Sequence, residues 1–182
     1  EDNSPSQAGQ NEADNSGVYP TDEEIATFNA ANDAGNSRNY NKAIQMFSSL
    51  LPERKGLEDF YAALYLRRAF AYGNLGKEKA ALADLNESLR LKPEDLQAVG
   101  VRATIYMRNS DSAHALPDLD RLIAAKPEDG LYDMRGTALI RLGQYNRAIS
   151  DYDVLLKKSP NNTMYLQLRG MAYTKTGRFD QA

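Results

Sequence analysis

The chain has 182 residues, 42% of them hydrophobic, enough to bury a sizeable core as one domain or as a run of small repeated units. Its 22 Lys and Arg against 25 Asp and Glu leave a net charge of -3, which gives no basis for a general affinity for nucleic acid or an anionic membrane. The lack of cysteine removes disulfides, thiolate nucleophiles and sulfur-ligated zinc together, and no apolar run approaches the ~18 residues that a membrane span needs.

Residues 1–20, "EDNSPSQAGQNEADNSGVYP", are acidic, rich in Asn, Ser, Gly and Gln, and nearly free of large apolar side chains. They cannot bury enough surface to offset the entropy of ordering, so a disordered acidic polar arm is expected. The chain opens at Glu1 without a Met, as a processed chain or a trimmed one does. With the polar arm, this favours an exported or periplasmic location over a cytoplasmic one. Thr21 then stands three places before Glu24, a capping box that opens the first helix. Beyond it, apolar residues recur at spacings of three and four, and no stretch alternates as a strand would.

The same pattern is written several times. Pro93 and Pro127 lie 34 residues apart, each in a "KPED" context, and Pro160 follows 33 later. Ala81 with Leu85, Ala115 with Leu119 and Ala148 with Tyr152 precede their prolines by matching intervals. Upstream come Tyr72, Tyr106 and Leu139, and before them Arg68-Ala69, Arg102-Ala103 and Arg135-Gly136. The period of about 34, with this order of small, aromatic and closing Pro residues, resembles the tetratricopeptide repeat. That resemblance implies an all-α, right-handed superhelix (solenoid) of stacked helix-turn-helix units over residues 21–182. A divergent first unit, about 24–57, carries Ala43 and Phe47; the others run about 62–95, 96–128 and 129–162, with a partial unit at 163–182.

The third unit departs from the pattern. Ser110 stands where Gly76, Gly143 and Gly177 mark the other turns, and Pro117 falls beyond the first turn of the second helix. A proline there loses a backbone bond and clashes with the preceding turn, so this helix is expected to start late or kink. In the last unit Ala182 falls only a few residues into the second helix, so the natural protein is expected to continue beyond it.

An arginine recurs seven places into the units. In a hairpin turning near the Gly, that residue faces the second helix sixteen places later, which sets Arg68 near Asp84, Arg102 near Asp118 and Arg135 near Asp151. A guanidinium is always charged and forks onto a carboxylate, so a partly buried Arg is tolerable with such a partner. These pairs are expected to tie the two helices of each unit together. The rival reading, capture of acidic ligands, would need the arginines to face the groove.

The resemblance also implies that the concave surface is lined by the first helix of each unit. It would carry Phe28, Asn29 and Asn32, then Leu66, Arg67, Phe70 and Asn74, then Gln97, Val101, Thr104, Met107 and Arg108. Asp133, Met134, Thr137, Ile140 and Arg141 follow, and the last unit adds Met164, Gln167, Leu168, Met171 and Lys175. Arg108, Arg141 and Lys175 share one position, a row suited to an extended peptide with acidic residues or a free carboxylate. The same position closes its helix, where cations offset the helix dipole, so both readings stay open. A subclass of the family grips acidic chaperone tails through a Lys, Asn and Arg clamp; here Phe28, Asn32, Arg67, Gln97 and Val101 hold those places. Only Asn32 matches, which rejects that function.

Catalysis has little support. The single histidine, His114, has no second His or Cys to act with, and no glycine-rich phosphate loop is present. Residues 12–23 faintly echo a calcium loop through Asp14, Ser16, Gly17 and Glu23, but Glu12 opens it and Pro20 interrupts it. The sequence therefore points to a non-catalytic scaffold without metal or cofactor, binding a protein or peptide of acidic character in its groove, with no nucleic-acid partner and no membrane insertion. The alternative is a structural or self-associating module of a longer chain.

Overall fold

Helices dominate because each apolar stripe recurs at helical spacing and each break carries a turn residue. The computed structural model describes residues 18–181. The arm expected over 1–20 and the faint calcium loop lie mostly outside that range; Val18, Tyr19 and Pro20 are non-helical. The described residues form α1 (Asp22–Asn36), α2 (Tyr40–Ser49), α3 (Glu58–Asn74), α4 (Glu78–Leu91), α5 (Leu96–Arg108), α6 (Ser112–Ala125), α7 (Asp129–Arg141), α8 (Tyr145–Lys158) and α9 (Thr163–Lys175), then a short 3-10 turn, Phe179–Gln181. Consecutive helices pack as antiparallel hairpins and the hairpins stack in chain order, giving an all-α repeat superhelix.

The entry to α1 is the capping box. Thr21 accepts from the Glu24 amide at 3.2 Å, and the Thr21 amide donates to Glu24 Oε2 at 2.7 Å, satisfying two orphan donors reciprocally. The Glu24 carboxylate also meets Arg54 at 2.6 Å, which draws the loop after α2 back to the start of the chain's first helix.

Every hairpin turns through one residue with positive φ: Arg38 (60°), Gly76 (68°), Ser110 (59°), Gly143 (72°) and Gly177 (74°). In each turn the next amide reaches back five residues, as when Gln144 N–H donates to the Leu139 carbonyl at 2.8 Å and Asp111 N–H to Tyr106 at 2.8 Å. Ser110 thus adopts the glycine conformation with a side chain attached. The late start expected for the next helix does not occur: α6 begins at Ser112, in the same register as α4 and α8. Asp111 accepts from the His114 amide at 3.3 Å, and Ala115 N–H donates to the Asp111 carbonyl at 3.1 Å. With its first turn capped, the helix absorbs the single donor that Pro117 removes.

The core runs as a chain of clusters between hairpins. Ala43, Ala81, Ala115 and Ala148 are fully buried, letting each second helix approach its neighbours, and Phe47, Leu85, Leu119 and Tyr152 fill the space one turn further on. In the fourth unit the filler is larger and the opposing residue smaller. A Cβ on Gly136 would lie 2.8 Å from the Tyr152 ring, whereas Ala69 and Ala103 occupy that place opposite Leu85 and Leu119.

Candidate peptide-binding groove

The first helices of the hairpins, α1, α3, α5, α7 and α9, end respectively on Asn36, Asn74, Arg108, Arg141 and Lys175. One edge of the groove therefore changes from amide to cation along the chain. Arg108 Nη2 stands 3.4 Å from Glu78, and Arg141 Nη1 is 3.4 Å from the Met107 carbonyl at the end of α5. Both contacts are long for charge-assisted bonds, and all three cationic residues are exposed. The Arg141 contact is one that a helix-end role would also make.

Two cavities open between the first helices. The smaller, about 240 Å³, brings together Asn32 of α1 with Leu66, Arg67 and Phe70 of α3 and Val101 of α5. The larger, about 610 Å³, lies between α3, α5 and α7 over a floor made by Leu119 and Leu122 of α6. Phe70, Asn74, Gln97, Val101, Thr104, Arg108 and Met134 line it, joined by Gly73, Gly100, Leu96 and Leu131, which position in the repeat did not single out. A Cβ built on Gly100 would meet nothing within 4 Å, and one on Gly73 only the tip of Ile105 at 4.0 Å. These two glycines widen the cavity by leaving side-chain volume out.

Four residues expected on the concave face spend much of their surface on packing. Phe28 meets Phe47 edge-on and Phe60 at a tilt, at centroid separations of 5.6 and 5.3 Å, in the first core. Leu66 is 5% exposed and lies in the second core; Met107 and Ile140 pack against the third and fourth. Met171 is exposed on α9. Further along, Asp133 is half-buried on α7, where burial pushes its carboxyl up from the ordinary range, and it has no cationic partner among the described residues.

The recurring arginines lie between helices. Arg68 donates through Nε and Nη2 to both Asp84 oxygens at 2.8 and 2.7 Å, Arg102 does the same to Asp118 at 2.8 and 2.8 Å, and Arg135 to Asp151 at 2.9 and 2.7 Å. These bonds hold the arginine pKa values above their ordinary range. The remaining nitrogen reaches the second helix of the preceding unit: Ser48 from Arg68, Asn86 from Arg102, Asp120 from Arg135. Arg169 makes the same backward contact to Asp153 at 2.6 Å. Arg68, Arg102 and Arg135 are therefore clamps across three helices as well as ties within one hairpin, a role that the spacing within a single unit does not disclose.

Among the described residues no helix is long and apolar enough to cross a membrane, and no group of three His, Asp or Glu side chains is placed to hold a metal ion. His114 is exposed and joined to Asp111 at 2.8 Å, stacked on Tyr106.

Comparison with known proteins agrees with this geometry. Tetratricopeptide repeat family models match residues 62–95 and 134–182. The chain is 28% identical over 152 residues to the BBSome complex member BBS4 of Bos taurus, covering 81% of this chain and 27% of that protein. It is 30% identical over 112 residues to the cellulose synthase operon protein C of Escherichia coli (strain K12), covering 60% of this chain and 9% of that one. The chain thus spans a minor part of either relative. In fold it is similar to MamA AMB-1, with a TM-score of 0.76 at 20% identity over 88% of this chain and 86% of that one. The MamA fragment from Desulfovibrio magneticus RS-1 gives 0.72 at 19% identity over 88% and 89%. Repeats of this kind serve as protein-interaction scaffolds, and the paired helices, the period and both family matches show that the chain carries tetratricopeptide repeats at residues 62–95 and 134–182.

Proposed function

We propose that the chain binds an extended segment of a partner protein along its concave face, with acidic side chains or a free carboxylate of that segment meeting Arg108 and Arg141. The observation that carries this reading is the exposed cationic edge beside an apolar cavity: apolar volume supplies affinity and the cations set direction and charge preference. No catalytic step is assigned. The test is capture of peptides from a proteolysed lysate by the wild type and by the double variant Arg108→Glu, Arg141→Glu. The wild type should retain acidic peptides that the variant loses, while the variant melts within a few degrees of the wild type. Arg135→Ala should do the reverse, lowering the melting temperature because Asp151 is left buried without its partner, at a cost on the order of 3 kcal/mol. Equal melting losses in the two variants would contradict this division of roles.

A second reading, stacking on further copies or on other parts of a longer protein, is favoured by the exposed Met164, Leu166, Met171 and Phe179. A mass that rises with concentration and falls when Leu166 and Met171 are made polar would move the function to that end. A monomer at all concentrations would remove stacking on further copies.

A further inference from the structure

The large cavity between α3, α5 and α7 has a shape and a charge that say more about the partner than the row of cations alone. Its wall is apolar, with Leu119 and Leu122 at the base and Val101 and Met134 on the sides. Phe70, at its rim, is 57% exposed, an unfavourable placement for so large an apolar ring unless something covers it. The volume of about 610 Å³ exceeds what one water or one methyl group needs and falls in the range of specific ligand pockets, roughly 300–1,000 Å³. The space is made by what is missing from Gly73 and Gly100, so it belongs to these positions and is not a general property of stacked hairpins.

Charge at the mouth is one-sided. Lys126 and Glu128 neutralise each other at 2.7 Å, whereas Arg108 is tethered to Glu78 at 3.4 Å, the longest ion pair among the described residues. A cation held that loosely at the edge of an apolar chamber can exchange its partner for a carboxylate brought in by a ligand.

We infer that this cavity is an anchor site: it takes a bulky aromatic or branched aliphatic side chain of the bound segment, and Arg108 pairs with a carboxylate that the same segment carries nearby. The inference rests on the groove reading above and deepens it. An apolar anchor excludes water around Arg108, which strengthens the ion pair, and the ion pair fixes which residue enters. The segment is thus defined by chemistry, a large apolar residue with Asp, Glu or a chain terminus close by.

The test uses a positional-scanning library of fluorescein-labelled nonapeptides read against three proteins: the wild type, Gly100→Leu and Arg108→Glu. Gly100 lies inside α5 with open space before its Cβ position, so leucine there fills the cavity and replaces a poor helix former. The variant should melt at or above the wild-type temperature, which separates loss of binding from loss of fold. The wild type is expected to select an aromatic or branched aliphatic residue at one position and Asp or Glu near it. Gly100→Leu should bind the selected peptide about tenfold more weakly or worse, and Arg108→Glu should lose or invert the acidic selection while keeping the apolar one. If acidic peptides are selected with no apolar preference, or if Gly100→Leu binds them as the wild type does, the anchor is overturned while the groove reading stands. If neither variant changes any selection, both fall. A wild type that shows no apolar selection but takes up free indole-3-acetate would assign the cavity to a small aromatic acid and overturn the peptide anchor.

Discussion

At the scale of single residues, the fourth unit shows how one exchange compels another. Tyr152 fills the place that Leu85 and Leu119 fill elsewhere, and its ring occupies the space that an alanine methyl would take at Gly136. Its hydroxyl stands 3.5 Å from Thr137 Oγ1, so the larger side chain also brings a polar group that a neighbouring helix partners. Gly136→Ala is therefore expected to destabilise by about 1–3 kcal/mol, even though alanine is the better helix former, because the ring cannot retreat in a packed core. Adding Tyr152→Leu should restore most of that loss, since the pair then matches Ala69 with Leu85. Chemical denaturation of the two single variants and the double variant measures the coupling, and additive losses would show that the ring does not define the glycine. The exchange is visible in the sequence as Gly-for-Ala and Tyr-for-Leu, and the spacing that pairs Arg135 with Asp151 also sets Tyr152 opposite Gly136, but how closely the ring fills that space is a matter of packing that residue type does not disclose.

Elements differ chiefly in how they end. Helical period and closing prolines make the helices and their order readable, and Gly76, Gly143 and Gly177 make the turns readable by residue type. Arg38 and Ser110 adopt the same left-handed turn without that signal, because five-residue backbone bonds from Asn39 and Asp111 enforce the conformation against the side chain's preference. Pro117 misleads about where the helix begins: residue type points to a late start, while the Asp111 cap keeps the first turn intact. The third hairpin thus carries two local conflicts that tertiary packing overrides. Ser110→Gly should relieve one of them, at φ 59°, and raise stability by about 1 kcal/mol, a gain readable as a higher denaturant midpoint with unchanged m-value. An unchanged or lower midpoint would mean that the serine side chain contributes an interaction that outweighs its strain.

For the whole molecule the question is what joins one hairpin to the next, since a solenoid has no contact between distant units and its cooperativity is a product of neighbouring interfaces. The spacing of Arg and Asp within a unit is legible from hairpin geometry. The backward reach of the third guanidinium nitrogen is not, because it depends on how consecutive units are rotated, and the breadth of the groove escapes the sequence for the same reason. That backward contact is graded along the chain. Arg68 and Arg102 meet neutral acceptors, Ser48 and Asn86, each at 2.9 Å, whereas Arg135 and Arg169 meet carboxylates, Asp120 and Asp153, at 2.7 and 2.6 Å. Charge-assisted bonds are shorter and stronger than neutral ones, so the later junctions should be the tighter ones. Asn86→Asp copies the Asp120 arrangement onto the junction between the second and third units and should stabilise by about 0.5–1 kcal/mol, limited by the exposure of the site. The new carboxylate is held below its unfolded pKa by Arg102, so the gain should be full above that pKa and vanish as the pH falls through the folded one. Asp120→Asn should do the opposite at the next junction, with the loss enlarged because Arg147 also leans on that carboxylate, at 2.8 Å. Amide hydrogen exchange in α4, α5 and α6 distinguishes a junction effect from a local one: a tightened junction slows exchange on both sides of it, whereas protection confined to α4 would mean that the arginine clamp does not transmit stability between hairpins.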